Sequence, residues 1–319
     1  KAARAAIKKA VADPLKISIE AAAEGVMKIV NENMFGALRL VSIEQGYDPR
    51  DFSLIGFGGA GPLHANALGK LTGAWPVIIP PGPGVLCAYG DATTRVRNEA
   101  SKTFVRRYSD TSEKEVLKIL KDLTKNAAQS LIKEGIPKKE HEILWEVDLR
   151  YTGQGFSLTV PCKLNGFDKN GLAQAAKSFD VSHTRMFTFA LDAEHEIVNL
   201  RAVVMGDAPN VKAVKASRGS ANANAAVIDN KHTIWADGKS HKAKIYDRTK
   251  LKAGNKIAGP AVITEFDATT VILADCEGLI DKVGCILITP KGWKGSKAKP
   301  KPKPKTKAKA KPKAKPKAK

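Results

Sequence analysis

The chain lacks any long apolar segment: no run of 18 or more apolar residues occurs along its 319 residues, which argues against a membrane-spanning helix. It also lacks the charged segment, apolar stretch and small-residue cleavage site of a secretory signal. A composition of 43% hydrophobic and 27% charged residues is typical of a soluble globular protein, and we expect a cytoplasmic one. Because Lys1 opens a segment with the pattern of a helix, we expect a fragment of a longer protein.

Cysteine is scarce, and its spacing argues against a zinc site. The residues Cys87, Cys162, Cys276 and Cys285 form no C-x-x-C pair and have no histidine at ligand spacing. We therefore predict no metal site and interpret the four residues as reduced, buried thiols of a cytosolic protein. A disulfide between Cys276 and Cys285 is the alternative.

Acidic residues are absent from the last segment, residues 294–319, which contains 13 lysines. These lysines account for 13 of the 21 net positive charges, so the rest of the chain carries only +8. From Lys297 onward lysine alternates with proline, alanine or threonine, a composition that predicts disorder because it can bury no apolar surface. Two interpretations stay open: a solvated appendage, or an arm that binds nucleic acid or another polyanion.

Two long helices are predicted from apolar residues spaced by three and four. The first begins at Ser18, a favourable N-terminal cap, and continues to Gln45, with Gly46 just past its end. The second begins at Ser112, where Glu115 completes a capping box.

The remaining pattern changes along the chain and predicts four regions. A period of two over 143–160 indicates a hairpin, and a residue run rich in serine, alanine, asparagine and glycine over 216–226 indicates a loose linker. The predicted regions are an α/β region at 1–110, an α+β region at 111–215, a β-rich module at 227–293 and the disordered tail at 294–319.

Residues 56–61, here called the glycine turn, have the sequence Gly-Phe-Gly-Gly-Ala-Gly. An apolar strand at 52–57 precedes the turn, a helix beginning at Pro62 follows it, and a second strand occupies 77–79. This order predicts a β-α-β unit with parallel strands. Glycines let backbone N–H groups approach a phosphate, and the start of the next helix adds a partial positive charge. The alternative is a tight turn that only packs the helix on the strand.

Two familiar nucleotide motifs are missing around this turn. No Gly-Lys-Ser/Thr follows the glycines, which excludes a Walker loop. No acid lies near the end of the second strand, at 77–81, where a dinucleotide-binding domain would bind ribose.

Residues 56–65, Gly-Phe-Gly-Gly-Ala-Gly-Pro-Leu-His-Ala, closely resemble the hydantoinase-A side of the hydantoinase/oxoprolinase family. Flanking segments at 33–52 and 81–90 resemble the same family, and Pro62-Leu63 favours the hydantoinase-A branch. The resemblance continues in later segments: Asp148-Leu149-Arg150-Tyr151, Gly153-Gln154-Gly155, Val198-Asn199-Leu200-Arg201 and residues 258–270.

This resemblance implies an α/β fold: the second lobe of an actin-like (ribonuclease H-like) ATPase, followed by α+β and β-rich regions. It also implies an ATP-dependent hydrolase that opens five-membered cyclic amides such as hydantoins and 5-oxoproline. A phosphoryl group would activate the amide oxygen, with Mg²⁺ on the phosphates, before water opens the ring. A B-type subunit is the partner that the family implies.

The resemblance further implies that ATP contacts the glycine turn and the start of its helix, at Gly58, Gly59, Ala60, Gly61, Pro62 and His64. For His64 two positions stay open, against a phosphate or substrate and against the sheet. The family's first lobe is missing, because no Asp-x-Gly-Gly-Thr-like segment occurs. We identify no catalytic base, and we interpret His183, His195 and the remaining histidines as solvated.

Overall fold

The computed structural model describes residues 1–162, 167–209, 211 and 214–295. Its α-helices are α1 (Ala2–Ile7), α2 (Asp13–Leu15), α3 (Ile19–Val41), α4 (Gly61–Thr72), α5 (Leu86–Thr93), α6 (Glu113–Lys133) and α7 (Phe167–Phe187). Its strands are β1 (Leu54–Ile55), β2 (Val77–Ile79), β3 (Arg97–Arg107), β4 (Glu142–Tyr151), β5 (Leu158–Cys162), β6 (His195–Met205), β7 (Val227–Ala236), β8 (Lys239–Asp247), β9 (Lys256–Ala258), β10 (Ala261–Thr264), β11 (Thr269–Ile272), β12 (Cys276–Ile280) and β13 (Ile286–Pro290). The tail from residue 296 onward lies outside the described residues.

The β-α-β unit around the glycine turn is present as predicted. Strand β1 pairs with β2 in parallel, with Leu54 opposite Val77, and α4 connects the two strands. Helix α4 ends at Gly73, whose φ of 70° suits glycine. Strand β1 is shorter than predicted, because its neighbour β2 has only three residues to pair with.

Strand β2 also pairs with the C-terminal part of the chain. The five-stranded sheet has the order β1-β2-β13-β12-β9, with β13 antiparallel to β2 and Ile286 opposite Ile79. The regions predicted as 1–110 and 227–293 therefore share one sheet. Their buried side chains, among them Val77, Ile257 and Ile288, form one hydrophobic core.

A second sheet, of order β11-β10-β8-β7, contributes to the same core through Ile263 and Ile272. Strands β10 and β8 are parallel, while β10 is antiparallel to β11. The hairpin between β10 and β11 brings residues 265–267 to the glycine turn, where they contribute to the candidate site.

The third sheet is antiparallel, of order β3-β6-β4-β5, and α6 and α7 cover it. The hairpin predicted over 143–160 is confirmed as β4 and β5, with Val147 opposite Val160. Leu120 of α6, Phe179 of α7 and Trp145 of β4 lie in its core. The whole is a mixed α/β fold with several sheets.

The capping box predicted at Ser112 is wrong. Helix α6 does begin after Ser112, but the serine side chain makes no capping hydrogen bond. Glu115 instead accepts two hydrogen bonds from Arg106 Nη1, at 3.0 and 2.9 Å. The arginine lies on the adjacent strand β3, so a tertiary contact replaces the local one.

The prediction of a loose linker at 216–226 is also wrong. Asn255 is buried, and its Nδ2 donates to the carbonyl oxygens of Ser220 and Asn222 at 2.7 and 3.0 Å. Ala223 and Ala226 are buried in the shared core. The small residues here allow close packing, which composition alone does not distinguish from flexibility.

Helix α3 begins where predicted, because Ser18 Oγ accepts the Ala21 N–H at 3.1 Å. It ends at Val41, where Ser42 leaves the helical region and its hydroxyl donates to the Leu38 carbonyl oxygen. A 3₁₀ turn then leads to Gly46, at φ 74°. No helix within the described part of the chain is both long enough and apolar enough to cross a membrane.

All four thiols are free, so the Cys276–Cys285 disulfide does not form. Cys162 and Cys276 are buried, as predicted, and Cys285 is partly buried. The prediction is wrong for Cys87, which is exposed on α5, a helix with no buried residue.

Candidate functional site

The first glycine of the turn packs the helix against the strand. Gly56 is buried, and a Cβ at this position would lie 2.6 Å from Ala65 Cβ and 2.8 Å from Ile79 Cδ1. Its N–H also donates to the Ile78 carbonyl oxygen at 2.9 Å. The structural interpretation of the glycine pattern therefore holds for this residue.

Gly58 shapes the turn. Its φ is 82°, a conformation that other residues rarely adopt, although a Cβ here would meet no atom within 4 Å. Its N–H donates to the Pro83 carbonyl oxygen at 2.7 Å. This bond joins the glycine turn to the Pro80-Pro81-Gly82-Pro83-Gly84 segment, here called the 80–84 loop.

The end of the turn presents uncapped backbone at the start of α4. Gly59 and Ala60 are exposed, and Ala60, the N-terminal cap, makes no side-chain hydrogen bond to the helix. Pro62 is buried and has no N–H to satisfy. The first N–H groups of a helix without a capping side chain are donors for an anion, and the helix dipole favours negative charge there.

His64 lies in the first turn of α4 and contacts another helix. Its Nδ1 is 2.9 Å from Asn31 Oδ1 on α3, and the residue is half-buried. The ring thus packs against α3, a position that neither of the two sequence-based alternatives specified.

A buried ion pair holds the 80–84 loop in place. Arg248 Nη1 and Glu265 Oε1 are 3.2 Å apart, and both side chains are only 8% exposed. Arg248 Nη2 also donates to the carbonyl oxygens of Ile79 and Gly284, at 3.1 and 2.9 Å. Burial raises the pKa of Glu265, against the attraction of Arg248, and a hydrogen bond from the Gly82 N–H favours the carboxylate.

Asp267 follows this pair on the same hairpin and reaches the glycine turn. Its carbonyl oxygen is 3.5 Å from where a Cβ on Gly59 would lie, and its carboxylate lies against Gly84. Neither Arg248 nor the hairpin residues were predicted as part of a site. Only the position of residues 258–270 within the family resemblance pointed to the hairpin, and no sequence signal pointed to Arg248.

A second cluster lies in the third sheet, and it corrects the prediction of solvated histidines. His183 is 1% exposed, with Nδ1 2.8 Å from the Phe189 carbonyl oxygen and Nε2 3.1 Å from Gln154 Nε2. His195 Nε2 is 2.8 Å from Asp180 Oδ1, which also accepts the Tyr151 hydroxyl at 2.8 Å. These contacts anchor the turn after β4 to α7.

Comparison with known proteins identifies the family. A family profile described as "Hydantoinase/oxoprolinase" matches residues 1–100, and its "Hydantoinase/oxoprolinase C-terminal domain" matches residues 106–289. The chain belongs to the hydantoinase/oxoprolinase family. The resemblance stated from the glycine turn and its flanks is thereby confirmed.

Individual relatives agree with this assignment. The chain is 32% identical over 281 residues to uncharacterized protein MJ0964 of Methanocaldococcus jannaschii, covering 87% of this chain and 39% of that protein. It is 31% identical over 278 residues to caprolactamase subunit alpha of Pseudomonas jessenii, covering 84% of this chain and 39% of the relative.

A solved structure matches the fold. The crystal structure of ATP-dependent caprolactamase from Pseudomonas jessenii superposes with a TM-score of 0.79 and 28% sequence identity. The match covers 90% of this chain and 42% of that one. This family member thus spans well under half the length of the relatives that it matches.

Proposed function

We propose that this chain contributes the nucleotide-binding part of an ATP-dependent hydrolase that opens five-membered cyclic amides, such as hydantoins and 5-oxoproline. The observation that carries the proposal is the glycine turn: it leads into the start of α4, which has no capping side chain, and lies in the segment matched to the family. The relative named as an ATP-dependent caprolactamase supports the use of ATP. Its name also makes caprolactam, a seven-membered cyclic amide, a compound to test beside the five-membered ones.

In this proposal the residues of the glycine turn have different roles in binding phosphate. Gly58 fixes the turn's shape, since its N–H is already bound to Pro83. Gly59, Ala60 and Gly61 present backbone to the phosphates, and Pro62 starts the helix whose dipole faces them. His64, held by Asn31, lies in the first turn of this helix and would border the phosphates.

Mg²⁺ is part of the proposal as the ion that neutralises the ATP phosphates. Among the described residues no group of three or more His, Cys, Asp or Glu side chains is placed to hold a metal ion. We derive no step from the ion.

The ring-opening reaction would also need groups beyond this chain. In the proposed reaction ATP would transfer its γ-phosphoryl group to the amide oxygen and leave as ADP, and water would then open the ring with release of phosphate. The relatives extend well beyond the matched segment, so we propose that the first lobe supplies the remaining contacts. The relative named "subunit alpha" favours a further partner, which we propose to be a B-type subunit.

The test is ATP hydrolysis by the full gene product, with any upstream sequence, in the presence and absence of hydantoin, 5-oxoproline and caprolactam. We expect stimulated hydrolysis, and we expect Gly59→Val to reduce it by more than tenfold. The fold should tolerate this change, because a Cβ at Gly59 meets only the Asp267 carbonyl oxygen, at 3.5 Å. The valine methyls would then occupy the space over the exposed turn.

Gly36→Val provides the matched control. Gly36 lies on α3, where a Cβ would meet nothing within 4 Å, so this variant tests the cost of a valine away from the turn. Equal activity in the two variants would contradict the proposed nucleotide site. Absence of hydrolysis with all three compounds would contradict the proposed reaction.

The lysine-rich segment supports a second candidate function. Residues 294–319 contain 13 lysines and no acid. We propose that this segment binds nucleic acid or another polyanion through salt-sensitive, sequence-independent contacts, and that it does so in a non-catalytic chain if ATP hydrolysis is absent.

A further inference from the structure

The tip of the β10–β11 hairpin, residues 265–267, exposes an aromatic ring beside the glycine turn. Phe266 is fully exposed, with a relative exposure of 107%. The hairpin is nevertheless tightly closed: the Glu265 N–H donates to the Ala268 carbonyl oxygen at 3.1 Å, and Ala268 is buried. An ordered hairpin that presents a bare phenylalanine next to a proposed ligand site suggests a ring used for binding.

The neighbouring carboxylate is incompletely satisfied. Asp267 Oδ2 is sealed from solvent and has no hydrogen-bond partner among the described residues. A Cβ on Gly84 would lie 2.7 Å from this oxygen, so only glycine lets the carboxylate lie against the 80–84 loop. A carboxylate oxygen held this way without a donor needs one from outside the described residues.

Glu265, the other charged residue of the tip, already has its partners. Glu265 pairs with Arg248 and accepts the Gly82 N–H, which fixes the start of the tip. Asp267 is thus left to meet a ligand.

The negative charge of Asp267 determines which part of a nucleotide it can bind. The Asp267 carboxylate lies against Gly84, and the backbone carbonyl oxygen of the same residue lies beside Gly59. A carboxylate next to the glycine turn repels phosphate, so an uncharged donor suits Asp267 better than the phosphates do. A nucleotide whose phosphates lie on the glycine turn carries such donors on its ribose, and carboxylates bind ribose hydroxyls in other nucleotide sites. The base, attached to the same sugar, is a flat π-system that an exposed aromatic ring can stack against.

We propose that the hairpin tip is the nucleoside-binding part of the site: Asp267 accepts a hydrogen bond from a ribose hydroxyl, and Phe266 stacks on the base. This inference rests on the proposed function, because it takes the phosphates to lie on Gly59–Gly61. It assigns the two residues to nucleotide affinity and leaves ring opening to groups elsewhere.

The test is calorimetric titration of the full gene product with ATP, 2′-deoxy-ATP and 3′-deoxy-ATP, with and without Mg²⁺. We expect Asp267→Ala and Phe266→Ala each to weaken ATP binding by roughly tenfold, in line with the loss of one charged hydrogen bond or one stacking contact. One deoxy analogue should bind the wild type roughly tenfold more weakly, and should lose no further affinity in Asp267→Ala.

Two exposed residues away from the site give matched controls. Asp192→Ala and Phe189→Ala remove the same groups from exposed positions in the loop before β6, and should leave ATP affinity unchanged. Circular dichroism of all four variants checks that each is folded.

The outcomes separate this inference from the proposed function. If Gly59→Val loses ATP while Phe266→Ala and Asp267→Ala bind it normally, the nucleotide site stands and the nucleoside assignment is wrong. An effect of Asp267→Ala seen only with Mg²⁺, with both deoxy analogues binding as ATP does, would make Asp267 a metal ligand and also overturn the inference. A wild type that binds no ATP would overturn both.

Discussion

Asp48 and Arg50 form a local ion pair in the turn after α3. The Arg50 guanidinium and its backbone N–H both donate to Asp48, with Nη2 to Oδ2 at 2.6 Å and N to Oδ1 at 2.9 Å. These bonds lower the pKa of Asp48 to about 2 from the usual 3.8. Folding therefore favours the carboxylate, and this contribution to stability is lost as the pH falls through about 4 to about 2.

We expect an NMR titration of the Asp48 carboxyl group to give a pKa of about 2 in the wild type. Arg50→Gln should move that pKa back toward 3.8, because the guanidinium is the largest cause of the shift. Arg39→Gln, a change at an exposed arginine in the last turn of α3, serves as the control. A wild-type value near 3.8 would show that the pair does not form in solution.

The thiols differ in reactivity because they differ in burial. Burial raises the pKa of Cys162 to about 12, and Cys87 is exposed on α5. Since the thiolate is the reactive form, we expect Ellman's reagent at pH 8 to modify Cys87 first and Cys162 only after unfolding. Cys87→Ser should remove the fast phase. Rapid modification of Cys162 in the native protein would mean that the third sheet opens readily.

At the scale of elements, α4 is tied to the C-terminal strands by one buried side chain. Asn66 is 1% exposed; its Oδ1 accepts the Leu273 N–H at 2.8 Å and its Nδ2 is 3.3 Å from Cys276 Sγ. The helix that carries the glycine turn is thereby bonded to the loop between β11 and β12.

Asn66→Ala should lower the free energy of unfolding by about 1–3 kcal/mol, because it leaves the Leu273 N–H without its partner. Urea unfolding followed by circular dichroism measures the change. Asn33→Ala, at an exposed position on α3, should change stability by less than about 0.5 kcal/mol. Equal effects of the two substitutions would argue against this link between α4 and the C-terminal strands.

Local sequence predicted the elements whose residues have one dominant pattern. Strand β2 and the start of helix α4 appear close to their predicted positions, because apolar periodicity and Pro62 act within a few residues. Helix α3 begins after Ser18 as predicted but ends at Val41, before the predicted Gln45, and Gly46 ends a separate 3₁₀ turn. Strand β3 was missed, since most of its residues are exposed, many are charged, and they show little apolar alternation. Its partner β6 stabilises it through backbone pairing, which side-chain periodicity does not encode.

At the scale of the whole molecule, the lysine-rich segment should act independently of the glycine turn. Deletion of residues 294–319 removes 13 positive charges, and we expect it to abolish binding to duplex DNA while ATP binding is retained. Between about 50 and 200 mM salt the full chain should lose roughly 10³-fold in DNA affinity if it contacts about six phosphates. Fluorescence anisotropy measures both effects. Binding that survives the deletion, or that is insensitive to salt, would contradict a polyanion-binding tail.

The sequence by itself determined the glycine turn, the helix and strand on either side of it, and the family. These depend on residue types at short spacing, such as glycines that permit close approach and a proline that starts a helix. Only the tertiary structure decided that β13 pairs with β2, that Arg248 is buried against Glu265, and that Asp267 lies against Gly84. Strands β13 and β2 are more than 200 residues apart in the sequence, and Asp267 and Gly84 are nearly 200 residues apart. No pattern within one segment specifies which distant part of the chain will pack against that segment.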